Sequence, residues 1–204
     1  MIERQAKKNT RMETKMKLYF TRHGETDWNL LKKIQGKQDT ELNATGIMQA
    51  EQLGDNLLLG KYNFTKIYSS TQKRARRTAE IVAEKLNMDF ETLEGLEEMN
   101  LGLWEGLSWN EVEERFPKEF ENWFINRRYM KTPEGESYQD LLDRVLSAIK
   151  NIIETQEGNV LVVTHSAVIM ALLCYLHNTP FEEMVGKYDI KNAELVEIDS
   201  KDLF

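Results

Sequence analysis

The sequence predicts an α/β fold: a three-layer sandwich in which a mostly parallel sheet carries helices on both faces. Segments with strand-like and helix-like patterns alternate along the chain, as in βαβ units. The segment NVLVVTH, 159–165, is continuously apolar and β-branched, which is typical of a strand covered on both faces. A second apolar run, LYFTRH at 18–23, ends in a histidine in the same way.

The remaining elements follow from periodicity and capping signals. Ser108 and Glu111 form a capping-box pattern at the start of a short helix, and Ser137 is placed to cap a long one. Residues 87–107 show no regular pattern. Strands are predicted at 17–21, 64–70, 159–165 and 193–199, and helices at 45–59, 74–86, 109–116, 138–152 and 167–176.

The chain is expected to form one domain over 16–204, with a segment at about 96–135 that caps the sheet edge. Its length and its 41% hydrophobic content suffice for one core. Residues 1–15 are polar and mixed in charge, and we expect them to form a flexible N-terminal extension. The longest apolar run, 167–176, is far shorter than the roughly 20 residues of a membrane-spanning helix.

Charge and cysteine content narrow the functional class. With 34 acidic and 27 basic residues the net charge is −7, so a nucleic-acid partner is not expected. The single cysteine, Cys174, lies in an apolar run and is expected to be a small buried side chain. These features, with no secretory signal, favour a cytoplasmic protein without membrane contact.

Three predicted strands end next to cationic or imidazole side chains. Arg22 and His23 follow the first strand, Arg74 follows the second, and His165 ends the strand at 159–165. In an open α/β sheet the binding crevice lies beyond the carboxyl ends of the strands. The four side chains are therefore expected to converge, and guanidinium groups match phosphate oxygens. His177, by contrast, follows a predicted helix and is expected to be an ordinary helix-end residue outside the site.

Several motifs, in a fixed order, resemble the histidine phosphatase superfamily, also called the phosphoglycerate mutase-like family. The resemblance runs from about residue 17 to 199 and is closer to the phosphatase branch than to the mutase branch. The matching blocks are RHGETDWN (22–29), QGKQDTELNATG (35–46), SSTQKRARRTAEI (69–81), LEEMNLGLWEGL (96–107), PEGES (133–137), VTHS (163–166) and NAEL (192–195).

The resemblance implies roles for individual residues. His23 would attack phosphorus and become a phosphohistidine. Glu98 would protonate the leaving oxygen, although the adjacent Glu97 is a rival for that role. His165 would be a third catalytic residue and would hold the phosphoryl oxygens. The other phosphate-binding residues would be Arg22, Asn29, Gln35, Gly36 and Arg74. Gly24 is expected to leave the nucleophile uncrowded and to allow an unusual φ.

Some positions lie outside the family pattern. Ser166 stands where the family commonly has glycine, and its backbone N–H can still face the phosphate. Arg76 and Arg77 are expected to be solvated charges. The aromatic residues of 104–130 are expected to pack as core and lid, and they would suit an apolar or ring-bearing leaving group.

The predicted function is hydrolysis of small phosphate esters, without a metal or other cofactor, by a monomer or homodimer. One alternative is a cofactor-dependent mutase of the phosphoglycerate mutase type, which returns the phosphoryl group to substrate. The interval between Gly106 and Pro133 is shorter than in typical mutases, which favours hydrolysis. The other alternative is a non-catalytic phosphate-sensing protein, which would have no use for a proton donor such as Glu98.

Overall fold

The computed structural model describes residues 16–204; the extension predicted at 1–15 lies outside the described residues. The strands are β1 (Lys17–Arg22), β2 (Phe64–Ser69), β3 (Phe90–Thr92), β4 (Asn159–Thr164) and β5 (Leu195–Asp199). The helices are α1 (Asp27–Leu30), α2 (Ala44–Leu59), α3 (Lys73–Leu86), α4 (Trp109–Arg115), α5 (Pro117–Ile125), α6 (Tyr138–Thr155), α7 (Ser166–His177) and α8 (Met184–Lys187).

The strands form one sheet in the order β3-β2-β4-β1-β5. All neighbouring strands are parallel except β5, which pairs antiparallel with β1 at the edge. The predicted mostly parallel sheet is therefore confirmed. Strand β3 lies in the segment predicted to be irregular, because three residues are too few to produce a readable alternation.

Two apolar layers cover the sheet. Along β4, Val160 and Val162 pack on the side of α6 and α7, whereas Leu161 and Val163 pack on the side of α2 and α3. This alternation follows from the two-residue period of a strand. It explains why β4 is apolar from Val160 to Val163, and it confirms the three-layer arrangement.

Capping fixes where the helices of the cap and of the long crossover begin. Ser108 accepts a hydrogen bond from the Glu111 backbone N–H, and the Glu111 carboxylate accepts one from the Ser108 N–H. Ser137 and Asp140 make the same reciprocal pair at the start of α6. The segment predicted as a cap, about 96–135, contains α4 and α5. No helix in the described part of the chain is long and apolar enough to cross a membrane.

Candidate active site

Strands β1, β2 and β4 are parallel neighbours, so their carboxyl ends lie at the same edge of the sheet. His23 follows β1, and its backbone N–H donates to the carbonyl of Thr164 at 3.0 Å, so the parallel pairing of β1 with β4 continues one step beyond the strands. His165 follows β4, and the centroids of the two imidazole rings are 5.2 Å apart. The expected convergence of side chains from separate strands is thus observed.

The hydrogen bonds of His23 determine which ring nitrogen carries the proton. The Nε–H of Arg74 donates to Nε2 of His23 at 3.2 Å. A guanidinium has no acceptor, so Nε2 must be unprotonated. Nδ1 then carries the hydrogen and donates it to the carbonyl of Gly24 at 2.7 Å. Burial, with the positive charges of Arg74 and Arg22, holds the pKa of His23 well below its ordinary value. The ring is a neutral base with its lone pair on Nε2.

Arg74 is a fully buried side chain that α3 delivers from its first turn. Its Nη1 donates to the carbonyl of Gln38 at 2.7 Å, and its Nη2 donates to the carbonyl of Gly36 at 3.0 Å. With the bond to His23, three of the five N–H groups of the guanidinium are used, and two remain for a ligand. Burial lowers the pKa of Arg74 to about 10, so it stays charged at neutral pH.

Arg22 and His165 each keep a buried nitrogen without a hydrogen-bond partner among the described residues. These nitrogens are Nε of Arg22 and Nδ1 of His165. Arg22 Nη1 donates to the carbonyl of Ile190 at 2.8 Å, and His165 Nε2 lies 2.8 Å from the Ser70 hydroxyl oxygen. Burial is the main cause that lowers the pKa of His165. Unpartnered buried polar atoms are rare, and these two belong to side chains beside His23.

Glu98, not Glu97, faces the cavity. Glu98 is 9% exposed and lines the cavity together with His23 and Arg74. Burial raises its pKa, against the opposing effect of the Met99 backbone N–H and the nearby arginines. Glu97 instead accepts hydrogen bonds from the Thr71 hydroxyl and the Gly95 backbone N–H. The geometry therefore favours Glu98 over Glu97 as the proton donor, a choice that the sequence left open.

Gln72 is a residue that the sequence analysis missed. Its side-chain amide donates to the carbonyl of Gly36 at 2.9 Å, and its side-chain oxygen accepts from the backbone N–H of Glu98 at 2.8 Å. One side chain thus connects the loop after α1 to the backbone of Glu98. It lies two residues before Arg74, where a polar side chain at a helix N-cap gives no signal of this role.

Position 24 requires glycine because of a close backbone contact, not because of an unusual φ. It does not have a positive φ. A Cβ placed on it would lie 2.3 Å from the backbone oxygen of Gly46, so the close approach of α2 requires glycine. Its backbone N–H donates to the Thr78 hydroxyl at 3.0 Å. The expectation of an unusual φ was wrong.

The other predicted phosphate-binding residues also line the cavity. The side-chain oxygen of Asn29 accepts hydrogen bonds from the backbone N–H and the hydroxyl of Thr26. The amide N–H groups of Asn29 are therefore the part of this side chain that can donate to a ligand. Gln35 accepts from the Thr40 hydroxyl through its side-chain oxygen. Gly36 has a φ of +51° and turns its carbonyl toward Arg74 and Gln72. Ser166, at the start of α7, reaches the same cavity.

The cavity continues from this polar end into an aromatic end under the cap. Its volume is about 740 Å³. Trp109, Phe120, Trp123 and Phe124 line it, and the rings of Trp109 and Trp123 stack with centroids 5.5 Å apart. Trp104 is fully buried beneath them. Of the predicted lid aromatics, some therefore form core and others face the cavity. Among residues 16–204, no group of three or more His, Cys, Asp or Glu side chains could hold a metal ion.

Comparison with known proteins identifies the class of protein. The chain belongs to the histidine phosphatase superfamily (branch 1), whose family model matches residues 18–202. It is 37% identical to a protein of Bacillus subtilis named "Uncharacterized phosphatase PhoE", over 76% of this chain and 74% of that protein. The superfamily expected from the motifs is confirmed.

Two further proteins are similar to this chain. It is 34% identical over 84% of its length to the 6-phosphofructo-2-kinase/fructose-2,6-bisphosphatase of Aquarana catesbeiana, but it spans about a third (35%) of that protein. The structure also superimposes on the alpha-ribazole phosphatase from Shigella flexneri with a TM-score of 0.78 and 29% identity, over 90% of each chain.

Proposed function

We propose that this protein is a phosphomonoesterase that hydrolyses small phosphorylated metabolites through a phosphohistidine formed on His23. The observation that carries the proposal is the unprotonated Nε2 of His23, which is held by Arg74 within a buried group of cations. A neutral imidazole is nucleophilic, and fixed positive charges stabilise the charge that spreads over the transferring phosphoryl oxygens.

In the first step, the Nε–H of Arg74 leaves Nε2 of His23 for a phosphoryl oxygen, the freed lone pair of Nε2 attacks phosphorus, and the bond from phosphorus to the leaving oxygen breaks. The Glu98 carboxyl group, whose pKa burial raises, gives its proton to that oxygen. Arg22, Arg74 and Nδ1–H of His165 donate to the phosphoryl oxygens, with Asn29 and the 35–36 loop beside them. The Ser70 hydroxyl oxygen lies 2.8 Å from Nε2 of His165; when that hydroxyl donates to Nε2, Nδ1 carries the hydrogen and can face the phosphate.

In the second step, water attacks phosphorus and gives a proton to the Glu98 carboxylate while the bond from nitrogen to phosphorus breaks. His23 and Glu98 thereby return to their starting states, and inorganic phosphate is released. The bound phosphoryl group would itself raise the pKa of Glu98 further. The named phosphatases among the relatives support hydrolysis of small esters. The cytoplasmic location and the monomeric or homodimeric state stay predictions.

The test is phosphate release from p-nitrophenyl phosphate by the wild type and by His23→Ala, together with labelling from a ³²P-labelled ester. We expect a label that survives base and is lost in acid, and neither label nor turnover in His23→Ala. Isomerisation of 3-phosphoglycerate faster than its hydrolysis would favour the mutase instead. Phosphate binding without any turnover would favour the sensing protein.

A further inference from the structure

Four hydrogen bonds form a continuous chain from the proposed acid to the proposed nucleophile. The backbone N–H of Glu98 donates to Oε1 of Gln72 at 2.8 Å, and Nε2 of Gln72 donates to the carbonyl of Gly36 at 2.9 Å. The same carbonyl accepts a hydrogen bond from Nη2 of Arg74 at 3.0 Å, and the Nε–H of Arg74 donates to His23 at 3.2 Å. Gln72 therefore connects the acid side of the site to the nucleophile side.

A side chain between these two backbone groups needs both a donor and an acceptor. The Glu98 N–H can only donate and the Gly36 carbonyl can only accept, so their positions fix the orientation of the Gln72 amide. Gln72 is 7% exposed, and Gly36 and Glu98 are buried as well, so water cannot easily replace a lost partner. A hydrocarbon side chain of the same length would fill the space and satisfy neither group.

The helix that begins beside Gln72 does not use its side chain. Gln72 is the N-cap residue of α3, yet its side chain makes no capping hydrogen bond. A polar side chain at an N-cap normally accepts from an N–H of the first turn. Here the Lys73 backbone N–H donates to Oδ1 of Asp39 at 2.7 Å instead. The Gln72 amide is thus free of the usual N-cap role and bonds to Gly36 and Glu98.

The two hydrogen bonds of Gln72 differ in what would replace them. The Gly36 carbonyl keeps a second donor, Arg74, if Gln72 is changed. The Glu98 N–H has no other acceptor among residues 16–204. The Glu98 carbonyl is held separately, by Nη2 of Arg144 at 3.0 Å. Loss of the Gln72 amide would therefore free the peptide plane before Glu98 without displacing the whole segment.

We propose that Gln72 is a positioning residue for the acid: it fixes the peptide plane before Glu98, and thereby the direction in which the carboxyl group gives its proton. This inference rests on the proposed function. The entering nitrogen and the leaving oxygen lie in line through phosphorus, so the acid must be placed relative to His23. Because the Gly36 carbonyl binds both Gln72 and Arg74, the chain of hydrogen bonds supplies that placement, and a small misplacement of a reacting group is costly.

The experiment compares phenyl phosphate with p-nitrophenyl phosphate, two esters of similar shape that differ in how much the leaving oxygen needs a proton. The readout is kcat/KM, which reports the first step. In Gln72→Met we expect kcat/KM to fall by about 10- to 30-fold on phenyl phosphate and by no more than about threefold on p-nitrophenyl phosphate. The inhibition constant of inorganic phosphate should stay within about threefold of the wild type, because the arginines keep their places.

Two further variants separate positioning from a general loss of structure. Gln72→Glu keeps an acceptor for the Glu98 N–H, so the ratio of the two kcat/KM values should stay within about threefold of the wild type. In a Glu98→Gln background, Gln72→Met should leave the ratio unchanged, because no acid remains to be positioned. A further change of the ratio in that background would overturn the proposal.

Gln49→Met is the matched control. Oε1 of Gln49 also accepts from a backbone N–H, that of Glu25 at 2.8 Å, but Gln49 does not line the cavity, so the ratio should stay within about twofold of the wild type. Equal slowing of both esters by Gln72→Met would show that Gln72 does not act through the acid.

Two outcomes with an inactive protein are kept apart. If Gln72→Met does not fold, Gln72→Asn gives the same test, because an amide one methylene shorter is withdrawn from both partners. If the folded wild type hydrolyses neither ester, the proposed function itself fails. An active wild type whose ratio is the same in every folded Gln72 variant overturns the positioning role alone.

Discussion

The proton of one imidazole is the central detail at the scale of single residues. Arg74 contributes positive charge near His23 and also donates to its Nε2, so it keeps that nitrogen free of hydrogen while burial keeps the ring neutral. Glu98 is buried as well, but burial acts on it in the opposite sense and favours the protonated acid. One desolvated site therefore prepares both a base and an acid.

The role of Glu98 can be tested by changing the leaving group. In Glu98→Gln, hydrolysis of an alkyl ester such as glycerol phosphate should slow by about 10²–10⁴-fold, because a poor leaving group needs the proton. Hydrolysis of p-nitrophenyl phosphate should slow much less. Steady-state kcat on both esters measures this. Glu97→Gln is the control, and a ratio that changes in that variant instead would assign the acid to Glu97.

The two shifted pKa values predict the pH dependence of kcat/KM. His23 must be neutral, and its lowered pKa moves the acidic limb below 6.5. Glu98 must be protonated, and its raised pKa moves the alkaline limb above 4.5. The optimum should therefore lie between these two limbs, as a kcat/KM profile corrected for the ionisation of the ester phosphate would record. Glu98→Gln should remove the alkaline limb, and a limb that persists unchanged would contradict the assignment.

At the scale of elements, the site depends on loops that the strands and helices present. The loop after α1 gives the carbonyls of Gly36 and Gln38 to Arg74. The same loop is tied to the cap, because Glu105 accepts from the backbone N–H groups of Lys37 and Leu101. The orientation of Arg74 therefore depends on the cap as well as on α3.

Gly36→Ala tests this connection. The φ of +51° is strained for alanine, and the new Cβ would lie 2.0 Å from Oε1 of Glu105. We expect a loss of about 1–3 kcal/mol in the free energy of unfolding and a loss of kcat/KM of tenfold or more, as Arg74 loses its fixed acceptors. Urea unfolding and steady-state kinetics measure the two effects.

Gly158→Ala is its control for strain alone. Gly158 also has a positive φ, of +98°, but it lies in the turn before β4, at the opposite end of that strand from His165. This variant should lose stability and keep kcat/KM. If both variants keep full activity, the loop does not position Arg74.

At the scale of the whole molecule, the net charge of −7 contrasts with a site built from arginines. Salt screens charges beyond about 8–10 Å, so a few converging cations decide the local potential. The proposed chemistry draws its positive charge from the chain itself. Phosphate release should therefore be unaffected by dialysis against EDTA, and loss of activity that added metal restores would contradict the mechanism.

From the sequence alone, four of the five strands, the two covered faces of the sheet and the histidines at its edge could be predicted. Continuous apolar strands, helical periodicity and capping boxes are local signals, so they can be read without the fold. The ordered motifs likewise identified the superfamily, which the matched residues 18–202 confirm. Strand β3 was not predicted, because three residues are too few to show an alternating pattern.

The contacts between segments far apart in the chain could be seen only in the folded protein. It separated Glu98 from Glu97, it showed that Gly24 is required by the approach of Gly46, and it revealed Gln72 as the link between the 35–36 loop and Glu98. It also showed that Nε of Arg127 is buried without a hydrogen-bond partner among residues 16–204. Burial and the direction of a hydrogen bond depend on what the fold brings beside a residue, and neighbours in sequence do not specify that.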